Sequence, residues 1–386
     1  MRIQRKFYLR VICFLTALLL LLSVPVKAFA DTIELPAKAY VLMEQETGKI
    51  LTEKNAHDCL PCASITKVMT LLLVFEAIET GVLHLDDMLT ASAHASSMGG
   101  SDIWLREGEQ MSVDDLLKAC VVMSANDAAV VLAEAVSGTE DAFVARMNER
   151  AEELGMSDTV FKNCNGLDEE GHLTSAYDVA VMSRALMMHE KIFDYTLIWI
   201  DYVRNGETQL VNTNKLVKSY KGIRGLKTGT TSAAGSCISA CAERNGMTLI
   251  GVVLGAENTN DRFSAASSIL DYGFSNWKTV LPMCPELSVM PVINGMTDHV
   301  LLQCDTPSGV LIPVSGQNEI HVEVDLPEQI AAPVEIGQKV GEIRITYDGN
   351  TVEVLPITSA GYAEKITFRS AFLYLLQNFF GCKTQS

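Results

Sequence analysis

Residues 61–81 read PCASITKVMTLLLVFEAIETG, and the fold is read outward from this stretch. The segment from Ser64 to Thr80 is predicted to be a helix closed by Gly81. Ile65, Val68, Leu71, Leu72, Phe75 and Ile78 leave it few faces for solvent, so it belongs at the centre of a domain. Ser64 and Lys67 stand three positions apart at its start and therefore share a face. A serine hydroxyl is a weak nucleophile until a base takes its proton. A lysine amine can be that base only when neutral, which requires burial or a second cation to lower its pKa. The helix start adds free N–H groups and a positive dipole end beside any carbonyl under attack.

On the N-terminal side, Ala39–Glu44 and Ile50–Glu53 read as two strands joined by a turn at Gln45-Glu46-Thr47-Gly48. Residues 112–189 are mainly helical, with Ser112, Thr139 and Ser175 as N-caps. Asp115 and Asp178 follow two of these by three positions, in the manner of a capping box. The period then changes to that of strands at Gly225–Thr231, Ser236–Glu243 and Met247–Gly255, with Asn245-Gly246 as a hairpin turn. A helix from about Arg262 to Tyr272 follows. Strands at both ends and helices between them predict an α/β (α+β) class: an antiparallel sheet flanked by helices, with a helical subdomain. From residue 281 the chain turns to short β-rich runs, among them Glu319–Val324, Lys339–Thr346 and, after Asp348-Gly349-Asn350, Val352–Leu355. The expected organisation is a catalytic domain at 31–280, a small all-β domain at 281–364 and an amphipathic tail at 365–386.

The first thirty residues have their own logic. Arg2, Arg5, Lys6 and Arg10 precede an apolar run from Val11 to Leu22, then Pro25 and Ala28-Phe29-Ala30. That is the layout of a secretory signal peptide at 1–30, because the apolar run is too short to span a bilayer. Export places the mature chain at the outer face of the cytoplasmic membrane or in the cell wall. Removal of the leader leaves 25 basic against 47 acidic residues, a formal charge near −22. So acidic a surface repels nucleic acid, and no basic stripe offsets it. The ten cysteines are scattered over a long chain. Most read as small buried hydrophobes, with Cys59–Cys62 the pair that oxidation would favour. The seven histidines show no metal-ligand spacing, so no metal or other cofactor is implied.

Two further motifs follow Ser64-Ile65-Thr66-Lys67 in order: Ser124-Ala125-Asn126 and Lys227-Thr228-Gly229. The first lies where one helical stretch breaks and another begins, a loop that can turn polar side chains into a cleft. The second lies on a strand whose edge can pair with an extended peptide. Gly229 keeps that edge clear, and the N–H of Thr230 can complete an oxyanion hole with that of Ser64. A second Ser-x-x-Lys, Ser275 to Lys278, has no partner motifs, which shows that order and context carry the signal.

With these residues in place, the chain resembles the low-molecular-mass penicillin-binding proteins of the D-alanyl-D-alanine carboxypeptidase family. The likeness extends through PCASITKVMT at 61–70, MSAND at 123–127, GLKTGTT at 225–231 and the segment from Gly251 that ends in Asp261-Arg262-Phe263. The resemblance implies a penicillin-binding/β-lactamase-like transpeptidase fold and a serine DD-peptidase acting on stem peptides that end in D-Ala-D-Ala. It implies Ser64 as acylated nucleophile, Lys67 as base, Ser124 as proton relay and Asn126 as a contact for the substrate amide. Lys227 and Thr228 would engage the terminal carboxylate, together with Arg262, and β-lactams would be covalent inhibitors. Cys62, beside the catalytic turn, is not something that mechanism requires, and Met98-Gly99-Gly100 alters the loop ahead of the second motif; neither touches catalysis, and both bear on substrate fit. Two alternatives compete. A class A-like β-lactamase would need a deacylating Glu-x-x-Leu-Asn motif, and the chain has no Leu-Asn. A non-catalytic receptor for wall peptides would have no use for the full motif set. The tail adds a membrane surface as partner: Ile366–Phe380 is apolar, carries four phenylalanines and is too short to span a bilayer.

Overall fold

The computed structural model describes residues 33–316 and 319–379; the leader lies outside them. Strands β1 (Ala39–Glu44) and β2 (Ile50–Lys54) form a hairpin that leads to the catalytic segment. The expected single helix is divided there. A tight turn of 3-10 geometry spans Ala63–Thr66, and the α-helix proper, α1, spans Lys67–Glu79. Ala63 opens the turn with a left-handed φ of 51°, which sets the direction in which the chain enters it. Nearly every side chain of α1 is buried, including Lys67 itself.

Helices α2 (Asn126–Ser137) and α3 (Ala176–Met187) carry the helical lobe. Ser112, Thr139 and Ser175 each accept a backbone N–H three residues on, so the predicted N-caps are present. The reciprocal half of the box does not close at Ser175. The Asp178 carboxylate turns to the Asp158 N–H and the Thr159 hydroxyl, tying α3 to the preceding loop. A small hairpin, β3 (Ile200–Val203) with β4 (Thr208–Val211), follows.

Strands β5 (Ile223–Thr231), β6 (Gly235–Arg244) and β7 (Met247–Ala256) complete an antiparallel sheet in the order β2-β1-β7-β6-β5, so that β5 lies at an edge. Helix α4 runs from Thr259 to Asn276, longer at both ends than its pattern suggested. Strand alternation divides the core between the two faces of the sheet. Tyr40, Leu42, Ile238 and Leu249 pack on one side with Ile269 and Leu270 of α4. Val41, Met43, Ile250 and Val252 meet α1 and α3 on the other. The decoy Ser275 ends α4 in solvent, and Lys278 falls on the next strand, β8 (Trp277–Val280), so the two share no helix face.

β8 pairs with β9 (Val310–Pro313), which joins the sheet-and-helix unit to a second, all-β one. There a six-stranded sheet runs Ile320–Asp325, Lys339–Tyr347, Asn350–Ser359, His299–Gln303, Val289–Ile293 and Ile330–Ala331. It holds two small cores of its own, around Val300 and Val334 and around Ile343 and Ile357. The last element, α5 (Phe368–Phe379), is capped by Thr367, whose hydroxyl accepts the Ser370 N–H. Every described cysteine is a free thiol, Cys59 and Cys62 included, and most of them are buried. Cys59 is exposed while Cys62 is buried beneath the catalytic turn.

Candidate active site

The Ala63–Thr66 turn is braced from outside by Gly166, where a Cβ would lie 1.9 Å from the Ala63 carbonyl oxygen. Only glycine allows that approach. Directly after the turn, Lys67 Nζ contacts Ser64 Oγ at 3.0 Å, Asn126 Oδ1 at 2.6 Å and the Asn165 carbonyl at 2.7 Å. Burial pushes its pKa down to about 8. A neutral amine has two N–H bonds and one lone pair. Asn126 Oδ1 and Asn165 O can only accept, so they take the two hydrogens and leave the lone pair facing the Ser64 hydroxyl. That is the arrangement of a general base and its nucleophile.

The second motif opens on a wide π-type turn at Ala119–Met123. Ser124 then adopts a left-handed φ of 67°, and α2 begins at Asn126. Ser124 Oγ is buried and has no hydrogen-bond partner among the described residues. A hydroxyl left so is available, as donor and as acceptor, to a group that reaches it. Backbone groups of Gly99, Ser101, Ile103 and Leu105 clamp this corner. Ser101 O accepts the Asn126 N–H at 2.6 Å, Gly99 O accepts Asn126 Nδ2 at 2.7 Å, and the Asp127 carboxylate accepts the N–H groups of Ile103 and Leu105.

The third motif lies on β5, as expected. Lys227 is 2% exposed, and burial together with the charge of Lys67 pushes its pKa down to about 7. Thr228 Oγ1 donates to Thr213 Oγ1 at 2.8 Å. A Cβ on Gly229 would stand 2.8 Å from both Ser64 N and Cys62 O, so glycine lets the edge strand lie against the nucleophile's own backbone. Thr230 is the exposed residue that follows. Arg262 stands behind this strand: its Nη1 donates to Gly229 O at 3.1 Å and Thr230 Oγ1 at 3.0 Å. It fastens the strand, a positioning task that its sequence context does not reveal.

Three contributors have no motif of their own. Asn165 offers only its backbone carbonyl to Lys67. Thr213 arrives from the segment after β4. His172 is buried, and its Nδ1 accepts the Lys162 N–H at 3.1 Å. Nε2 must then carry the proton, which it donates to Thr66 Oγ1 at 2.7 Å; Thr66 Oγ1 in turn donates to Ala63 O at 2.9 Å. Burial pushes the His172 pKa down to about 4, keeping the ring neutral. A cavity of about 310 Å³ opens beside the turn, lined by Ala63, Gly166, Leu167, Asp168, Glu170 and Ala233. Among the described residues no cluster of side chains could hold a metal ion.

Residues 26–258 match the family model for D-alanyl-D-alanine carboxypeptidase, and residues 286–365 match that for the penicillin-binding protein 5 C-terminal domain. The chain is 38% identical over 338 residues to D-alanyl-D-alanine carboxypeptidase DacF of Bacillus subtilis, covering 86% of this chain and 87% of that protein. It is 34% identical over 355 residues to DacC of Escherichia coli, with coverage of 89% and 88%. Among solved structures, penicillin-binding protein 5 from Haemophilus influenzae superposes with a TM-score of 0.71 at 29% identity, over 87% of this chain and 99% of that one. Penicillin-binding protein D2 from Listeria monocytogenes, in its ampicillin-bound form, matches at 33% identity and a TM-score of 0.58, over 63% of this chain and 100% of that one.

Proposed function

The chain belongs to the D-alanyl-D-alanine carboxypeptidase family, and we propose that it removes the terminal D-alanine of peptidoglycan stem pentapeptides through an ester on Ser64. It is a penicillin-binding serine DD-peptidase, and the observation that carries the residue assignment is the aim of the Lys67 lone pair at Ser64 Oγ. Neutral Lys67 takes the Ser64 proton as Oγ bonds to the carbonyl carbon of the penultimate D-alanine. The N–H groups of Ser64 and Thr230 hold the oxyanion. As the C–N bond breaks, the proton passes from Lys67 through Ser124 to the departing amine. Water then attacks the ester, Lys67 takes its proton, and the carboxylate product leaves with Ser64 Oγ reprotonated. Lys227 and Thr228 receive the substrate's terminal carboxylate, Asn126 the amide, and Arg262 holds Gly229 and Thr230 in register. A β-lactam would follow the same first step and stop at the ester.

Residues 1–30 serve as an export leader, and α5 as an anchor on the outer face of the cytoplasmic membrane. Phe368 is 88% exposed, Leu375 65% and Phe379 85%, an apolar surface for which lipid is a natural partner. No described helix is long and apolar enough to cross a membrane, so the proposed mode is in-plane. The test of the site is direct. Ser64→Ala abolishes both D-alanine release and labelling by a penicillin, whereas Ser275→Ala changes neither. A penicilloyl adduct mapped to a peptide without Ser64 would overturn the assignment.

A further inference from the structure

Beyond Gly99 and Ser101, whose carbonyls hold Asn126, the same loop presents a side chain to solvent. Between Ile103, fully buried, and Leu105, 4% exposed, stands Trp104 at 74% exposure with a left-handed φ of 54°. A bulky side chain takes that conformation only where its surroundings enforce it. Here they do: the N–H groups of Ile103 and Leu105 both bond to the buried Asp127 carboxylate, and the turn between them throws the indole into solvent. Trp104 borders a groove of about 620 Å³ that also touches Arg106, Glu107, Glu109, Arg204 and Glu207. Its wall is preset. Arg204 is held by Glu109 at 2.6 Å, by Ile103 O at 2.7 Å and by Thr208 Oγ1 at 3.0 Å. The side-chain carboxylates of Glu107 and Glu207 have no hydrogen bond or ion pair within the described residues, so they are open acceptors.

We propose that this groove is a carbohydrate subsite that holds a glycan strand of the cell wall against the face of Trp104. A pyranose ring offers an apolar face of C–H groups to an aromatic plane and a rim of hydroxyls to fixed planar acceptors and donors. An exposed indole beside a preset guanidinium and free carboxylates supplies both. The side-chain chemistry favours the same occupant. Two arginines and three glutamates line the groove, so charged donors and acceptors are both at hand for the hydroxyl, amide and carboxyl groups of a glycan. The loop that carries Trp104 also holds Asn126 through Ser101 O and Gly99 O, so the groove and the cleft share one support. The proposal rests on the carboxypeptidase reading only for the identity of the polymer.

The test uses the full-length mature protein and wall glycan strands stripped of their peptides, which contain nothing for Ser64 to attack. Wild-type protein is expected to co-sediment with the strands and to show a change in tryptophan fluorescence on binding. Trp104→Ala should weaken binding at least tenfold and abolish the fluorescence change, and Trp104→Phe should restore much of the binding. All variants should release D-alanine from a soluble pentapeptide at the wild-type rate, so a failure of the catalytic assignment shows separately. Leu281→Ala, which removes a comparably exposed apolar side chain (70%) elsewhere, should bind as wild type. The proposal falls if wild-type protein ignores the stripped strands, if Trp104→Ala binds them equally well, or if Trp104 proves to be needed only for capturing another protein.

Discussion

Lys67 does its work through what its neighbours cannot do. Neither Asn126 Oδ1 nor Asn165 O can donate, so the neutral amine has no orientation open to it except the one that aims its lone pair at Ser64. A guanidinium at this position would keep the positive charge but never release its proton. Lys67→Arg is therefore expected to lower the rate of penicillin acylation by about 10²–10⁴-fold, the usual worth of a general base. Stopped-flow acylation measures it. In the wild type the same rate should fall as pH drops below about 8, where Lys67 becomes protonated. His172 makes a second residue-scale argument. Its pKa in the fold is held below that of the free side chain, so between pH 6.5 and about 4 the unfolded chain binds the extra proton and the native state loses stability as pH falls. His172→Gln retains one donor and one acceptor without the titration. Its melting temperature should decline less than that of wild type across that window, while His172→Ala should slow acylation by freeing Thr66 from its support.

At the scale of elements, the catalytic cleft is a meeting of edges: the front of α1, the start of α2 and the outer strand β5. Each is tied by backbone groups. Ser101 O holds the α2 start, Arg262 holds β5, and Gly166 lets the catalytic turn seat. The C-terminal helix stands apart from this arrangement, and the way the chain reaches it matters for any truncation. Ala363 pairs with Val334, and Ile366 donates its N–H to Asn294 O, so the all-β unit is closed by residues beyond 363. Removal of the chain after Thr367 is expected to leave the protein folded and fully active on small peptides while abolishing sedimentation with anionic liposomes. Retention on liposomes would locate the membrane contact elsewhere.

The whole molecule is two sets of cores linked by the pairing of β8 with β9. The active site draws only on the sheet-and-helix unit. Covalent capture of a β-lactam stabilises the state that holds it and leaves the all-β unit untouched. Calorimetry is therefore expected to show an unfolding transition that moves upward on penicillin treatment and a second that does not. A common shift of both would mean that the two units unfold as one.

Short-range chemistry made much of this legible in the sequence. The spacing of Ser64 and Lys67, the caps at Ser112, Thr139 and Ser175, the Asn245-Gly246 turn and the strand carrying Lys227-Thr228-Gly229 all follow from periodicity and local hydrogen bonding. Those forces act within a few residues, and the pattern records them. Tertiary structure decided the rest. Nothing within a few residues of Asn165, His172 or Thr213 marks them, because each acts on a group brought to it from a distant part of the chain. Arg262 was legible as a residue of the site but not as a brace, since its partners Gly229 and Thr230 reach it only when β5 and α4 lie against the same sheet. Gly166 looks like any loop glycine until the Ala63 carbonyl fills the space its side chain would occupy. The lowered pKa values of Lys67 and Lys227 likewise come from burial, and burial exists only once the chain has closed around them.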